Sequence, residues 1–172
     1  SPNAAHLFNE KGLVYFLLAN LARDQQQPEV ADDYFEDALI ALDRSQKLDQ
    51  IYPQTYLFLG DVWRSRGDNA KAIAAYQQTL KLSPSQALAW SALGYIYAQQ
   101  GNLTEAISAN QKVTQLSPSD ASSWRNLAIL YQQTNQIQLA LAAAQEALKY
   151  APDADKPALQ ALVQQLQAQL PQ

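Results

Sequence analysis

Shifted by 34 residues, this sequence falls back onto itself. The shift aligns Tyr56, Trp90 and Trp124. It aligns Leu59, Leu93 and Leu127, then Gly60, Gly94 and Ala128, then Trp63, Tyr97 and Tyr131. Further on it aligns Ala72, Ala106 and Ala140, and finally Pro84, Pro118 and Pro152. A period of a few tens of residues marks a repeated supersecondary unit. One unit cannot bury its apolar face alone, so neighbouring units must stack to form a continuous core. The recurrence also changes the question asked of each motif. A residue that returns at a fixed interval belongs to the packing before it belongs to any chemistry.

Each unit reads as two helices. Within 87–100, Trp90, Leu93, Gly94 and Tyr97 recur at three- and four-residue steps, as on one helix face. Gly101 then stands where a glycine commonly ends a helix. Asn102 follows as a candidate N-cap, with Glu105 three residues on, close to a capping box. Ala106, Ile107 and Val113 continue a second amphipathic helix, which Pro118 stops. We call the two helices of a unit A and B. Gly94 and Ala106 are small enough to let the pair approach closely. The expected units are 53–86, 87–120 and 121–154, with Trp90 and Trp124 in their cores.

The ends depart from the period. Residues 4–52 read as a degenerate first repeat with long helices. In its A helix Gly12 and Tyr15 fit the pattern, but Lys11 stands where leucine is expected. Its B helix opens at Pro28, with Ala31, Phe35 and Ala38 in register. Residues 155–172 read as a capping helix, with Asp155 as its cap and leucines on one face. Repeat arrays need such a polar-backed terminal helix. All these segments together form one expected domain, 1–172.

Composition removes several classes of function. The net charge is −4, whereas nucleic-acid binding requires clustered Lys and Arg to neutralise phosphates. The chain has no cysteine and one histidine, His6, so thiolate chemistry and a histidine metal cluster are not expected. No apolar run reaches the roughly 18 residues of a membrane span. No catalytic set, phosphate-cradling loop or metal-spaced cluster is apparent. The expectation is therefore no enzyme, no cofactor, no metal and no direct membrane insertion. The chain starts at Ser1 and contains no methionine. We expect a soluble domain excised from a longer chain, with its compartment open.

Three local motifs have a plain reading. Arg66-Gly67-Asp68 spells an adhesion tripeptide, but it falls at the A-to-B turn, where Gly101 and Asn135 stand in the other units. Asn102-Leu103-Thr104 is a glycosylation sequon whose asparagine is already assigned to a cap. The acidic run Glu29, Asp32, Asp33, Glu36 and Asp37 reads as a solvated helix face whose charges favour the helix dipole.

The pattern W-x2-L-G-x2-Y, then a small residue, then Pro, resembles the tetratricopeptide repeat family. The resemblance covers 53–152. It implies an all-α fold, a right-handed superhelix of antiparallel helix pairs (an α-α solenoid) with a C-terminal capping helix. It also implies that certain helix-A positions face a concave groove that binds an extended peptide or a partner's helix. Carried over, these are Leu57, Phe58, Asp61 and Arg64, then Leu88, Ser91, Ala92, Tyr95 and Gln99, and then Arg125, Asn126, Ile129 and Gln133. The first unit adds Asn9, Leu13 and Phe16. Periodicity leaves Leu57, Phe58, Tyr95 and Ile129 exposed, and several apolar residues on one surface suggest a binding site. The lysines of a chaperone-tail clamp are absent from Asn9, Leu13, Phe58, Leu88 and Ala92, so that mode is rejected.

The expected function is a non-enzymatic protein-interaction module. One alternative is an accessory domain of a larger enzyme or membrane protein, such as a cell-envelope polysaccharide polymerase or ligase. Another is a self-associating scaffold that forms a homodimer through Leu159, Leu162, Val163 and Leu166.

Overall fold

The computed structural model describes residues 2–170. Among them are nine helices: α1 (Pro2–Asp24), α2 (Pro28–Leu48), α3 (Pro53–Ser65), α4 (Asn69–Leu82), α5 (Ala87–Gln99), α6 (Leu103–Leu116), α7 (Ala121–Gln133), α8 (Ile137–Tyr150) and α9 (Lys156–Ala168). The chain divides into two compact units, 1–89 and 90–172.

The turns joining A to B share one construction. Gln26, Gly67, Gly101 and Asn135 each take a left-handed backbone, with φ of 60°, 79°, 75° and 57°. In each turn the next amide reaches back five residues to the A helix. The bonds are Gln27 N to Ala22 O, Asp68 N to Trp63 O, Asn102 N to Tyr97 O and Gln136 N to Tyr131 O, at 2.8–2.9 Å. This satisfies carbonyls that the helix end would otherwise orphan. It is the structural meaning of Arg66-Gly67-Asp68. Asp68 caps α4 by accepting from the Lys71 amide, and Arg66 donates to Glu36 at 2.6 Å.

Two expected caps fail. Asn102 and Asp155 occupy the N-cap positions of α6 and α9, but neither side chain makes a cap hydrogen bond. Asn102 instead donates to Gln100 at 3.4 Å. Position alone does not aim a side chain at the first-turn amides.

In unit 1, α1 and α2 form the first helix pair. Gly12 lies so close to α2 that an added methyl would sit 2.6 Å from Leu42. Gly60, 48 residues on, faces Tyr76, which is 34 residues from Leu42. The B-helix register is therefore carried by Ala38, Leu42 and Ser45, not by Ala31 and Phe35. The 14-residue difference is accommodated as seven extra residues at the end of α1 and seven at the start of α2. These are about two extra turns on each helix, so the hairpin is about 10 Å longer at its turn. Ala19, Ala22, Ala31 and Phe35 are buried there, packed with Ala38, Leu42 and Val62. The acidic run of α2 is exposed throughout.

The α2–α3 junction is partly polar. The Ser45 hydroxyl donates to the Ala5 carbonyl at 2.8 Å and lies 2.8 Å from the Thr55 hydroxyl. Asn9 is fully buried beside this level of α1, and neither of its amide atoms makes a hydrogen bond.

In unit 2, α7 packs on α6 and α8, and α9 packs on α8. Leu166 joins Leu127, Ala128, Tyr131, Ala140, Ala143 and Ala144 in one buried cluster, with Leu162 and Val163 against it. Leu159 closes on Ala147 and Ala151. The four side chains assigned to a homodimer surface thus serve the cap, because α8 presents an alanine-lined face that only a further helix can cover.

Candidate partner-binding surface

The α3 residues are largely drawn into the fold. α3 touches α1, α2 and α4, and a helix with three neighbours buries more than one face. Leu57 is only 2% exposed, so the exposure expected of it does not hold. Phe58 packs against the first-pair core beside Tyr15 and Phe16. Asn9 is buried, while Leu13 and Phe16 are half-buried.

Asp61 and Arg64 converge on α4. The Tyr76 hydroxyl donates to Asp61 at 2.6 Å, and Arg64 Nε donates to that hydroxyl at 3.4 Å. Burial pushes the Asp61 carboxyl above its usual range, against the opposing pull of the Tyr76 bond and the Arg64 charge. The Tyr76 hydroxyl is also pushed upward, first by burial and then by the Asp61 charge, so it remains a donor. These charges join A to B within one repeat. The triad has no counterpart elsewhere, because Tyr76 becomes Asn110 and Ala144 one and two repeats on.

A pH prediction follows for Asp61→Asn. A raised carboxyl pKa means that stability is fully present while the group is protonated and is lost as pH rises through the folded value. The amide keeps an acceptor for Tyr76 but cannot ionise. The melting temperature of Asp61→Asn relative to the parent should therefore rise from acid toward neutral pH. A relative melting temperature that falls over that range would show that hydrogen bonding and Arg64 outweigh burial.

The remaining positions are more open. Leu88 is exposed. On α5, Ser91, Tyr95 and Gln99 are exposed and Ala92 is half-buried. The Tyr95 hydroxyl accepts from the Gln99 amide at 2.7 Å. On α7, Arg125, Asn126, Ile129 and Gln133 are all exposed. Tyr95 and Ile129 occupy the same repeat position, 34 residues apart. Of the thirteen residues, Leu57 is buried, Phe58, Asp61 and Arg64 have internal partners, and the others keep solvent access. The Tyr76 anchor was missed, although its aromatic mismatch with Asn110 and Ala144 was visible in the sequence. No group of His, Cys, Asp and Glu with metal-binding proximity occurs among the described residues. No helix among them is long and apolar enough to cross a membrane.

The chain is similar to known repeat proteins. Its fold resembles a chain in the crystal structure of the APC/C hetero-tetramer Cut9-Hcn1, with TM-score 0.66 and 24% identity over 91% of the chain. It also resembles MamA AMB-1, with TM-score 0.74 and 16% identity over 96%, and a MamA RS-1 double mutant, with TM-score 0.64 and 18% identity over 92%. The chain spans 30% of the Cut9-Hcn1 chain, and 81% and 95% of the two MamA chains. No curated protein matches the sequence. The solved structures therefore speak for the fold alone, an all-α helical repeat. Family models described as tetratricopeptide repeat match residues 16–87, 59–121 and 121–154. With the helix pairs and the 34-residue period, these matches establish that the chain belongs to the tetratricopeptide repeat family.

Proposed function

We propose that the chain is a non-catalytic module that binds a peptide or helix of a partner protein through the solvent-facing positions of its A helices. The observation that carries this reading is the exposure of Tyr95 and Ile129 at one repeat position, with Arg125 and Asn126 beside Ile129 on α7. Large apolar side chains recurring on the surface at the repeat period fit an interface better than scattered exposure does. Tyrosine and arginine are the residue types that most often dominate interface energy. An apolar ligand with one or two charges matches this set.

The test is the triple variant Tyr95→Ala, Arg125→Glu, Ile129→Ala. Phe58 is left intact because it packs in the first-pair core. A partner recovered from the source cell on the parent chain should lose at least about thirtyfold in affinity, the scale of a lost hot spot. The melting temperature should stay nearly constant, since all three sites are exposed. Undiminished capture by the triple variant would refute this surface.

A further inference from the structure

The later A helices carry no acidic residue. α5 has no charged side chain at all, and α7 has only Arg125. α9, which follows at the A position of the next repeat, has only Lys156. The B helices between them carry both signs, Glu105 and Lys112 on α6 and Glu146 and Lys149 on α8. The A helices of unit 1 also mix signs, with Glu10, Lys11, Arg23 and Asp24 on α1 and Asp61 and Arg64 on α3. The chain holds 16 Asp and Glu against 12 Lys and Arg. Three helices without a carboxylate therefore reverse its overall charge locally.

Arg125 is exposed, and among the described residues it makes no ion pair. The acidic residues at the starts of these helices do not supply one. Asp120 caps α7, accepting from the Ser122 amide and the Ser123 hydroxyl. Asp153 pairs with Lys156 at 2.7 Å. Asp155 stands at the N-cap position of α9 and forms no ion pair with Arg125. A carboxylate that arrives at Arg125 displaces no internal partner and meets no like charge on α7. A cation would meet an uncompensated guanidinium, and like charges brought together oppose binding.

The same row of α7 supplies an apolar anchor. Ser122, Arg125, Asn126, Ile129 and Gln133 are exposed at three- and four-residue steps, so they share one face. Arg125 and Ile129 stand one turn apart, about 6 Å along the axis. One repeat earlier, the Tyr95 hydroxyl accepts from the Gln99 amide at 2.7 Å, which leaves its own proton to donate. A guanidinium can only donate. An acceptor-rich, anionic ligand matches these groups.

We propose that the α7 row selects a partner segment in which an Asp or Glu side chain lies about 6 Å from a leucine or other large apolar side chain. The carboxylate takes the Arg125 fork through two parallel N–H bonds, and the apolar group lies on Ile129. The charge selects among partners, and the apolar contact supplies affinity. The recognised carboxylate belongs to a side chain within the segment, since the lysines of a terminal clamp are absent. This inference rests on the A-helix surface proposed above and adds the sign and spacing of the partner's charge.

The probe is a library of displayed random peptides of about twelve residues, enough to span about 40 Å when extended, selected on the 172-residue chain. Binders should carry an Asp or Glu close to a large apolar residue, with no Lys or Arg in its place. Each binder, synthesised with an amidated C-terminus, should lose at least about tenfold in affinity on Arg125→Glu. Replacing its acidic residue by lysine should restore binding to that variant, which a misfolded variant could not show. Lys112→Glu, a reversal on α6, should leave affinity within about twofold, because exposed charges away from the contact are screened by salt. Binders that weaken on Ile129→Ala but not on Arg125→Glu would overturn the inference and leave the A-helix surface standing. So would binders that need a free C-terminus. Binders that ignore the Tyr95, Arg125 and Ile129 triple variant, or a selection that yields none, would overturn both.

Discussion

Tyr76→Ala should cost about 3–5 kcal/mol of folding stability, the range for removing a buried aromatic ring. Tyr76 is fully buried and is the largest such side chain among the described residues. Its ring fills the space left by Gly60, where an added methyl would lie 2.5 Å from it. Gly60→Ala alone should therefore cost about 1–3 kcal/mol by overpacking. The two effects are coupled. In the double variant the new methyl no longer meets a ring, so its loss should fall short of the sum of the singles. Urea unfolding of the four proteins measures this directly. Strict additivity would mean that Gly60 and Tyr76 do not share one space.

The second large effect is expected at the cap. Leu166→Ala should cost about 2–5 kcal/mol, although α9 lies outside the repeat pattern. Leu166 is fully buried against α7 and α8 residues. The alanine face of α8 cannot shrink to close the gap. Gln164→Ala, on the exposed side of the same helix, should stay within about 0.5 kcal/mol of the parent. Equal losses at the two sites would mean that α9 does not dock as described.

Both predictions rest on pairs that the sequence revealed unevenly. The 34-residue period, the helix alternation and the turns at Gly67, Gly101 and Asn135 were legible, because glycine, asparagine and proline act locally, whereas the left-handed Gln26 of the first pair carried no such signal. The buried tryptophans were not legible. Trp90 and Trp124 are half-buried, and the Trp124 indole donates to the Pro118 carbonyl at 2.8 Å. The fully buried aromatic is instead Tyr76, on a B helix. The register of α2 was misplaced because Ala31 and Ala38 are both small and seven residues apart, so only the contact of Gly12 with Leu42 separates them. Leu57 was misassigned because a position pattern drawn from one helix does not count how many neighbours that helix has. The roles of Asp61 and Arg64 depended on Tyr76 across the hairpin, which no spacing within α3 encodes.

The facing residues of the hairpins also bear on how a repetitive chain avoids misfolding. Gly12 meets Leu42, Gly60 meets Tyr76 and Gly94 meets Asn110, while Ala128 and Ala144 share one buried cluster. Similar repeats invite one A helix to pair with the wrong B helix, a characteristic hazard of such chains. Here each hairpin has its own lock and key. Ala128 against the Tyr76 ring would clash, and Gly60 against Ala144 would leave a void. The departures from the repeat consensus thus act as addresses that direct each helix to its own partner.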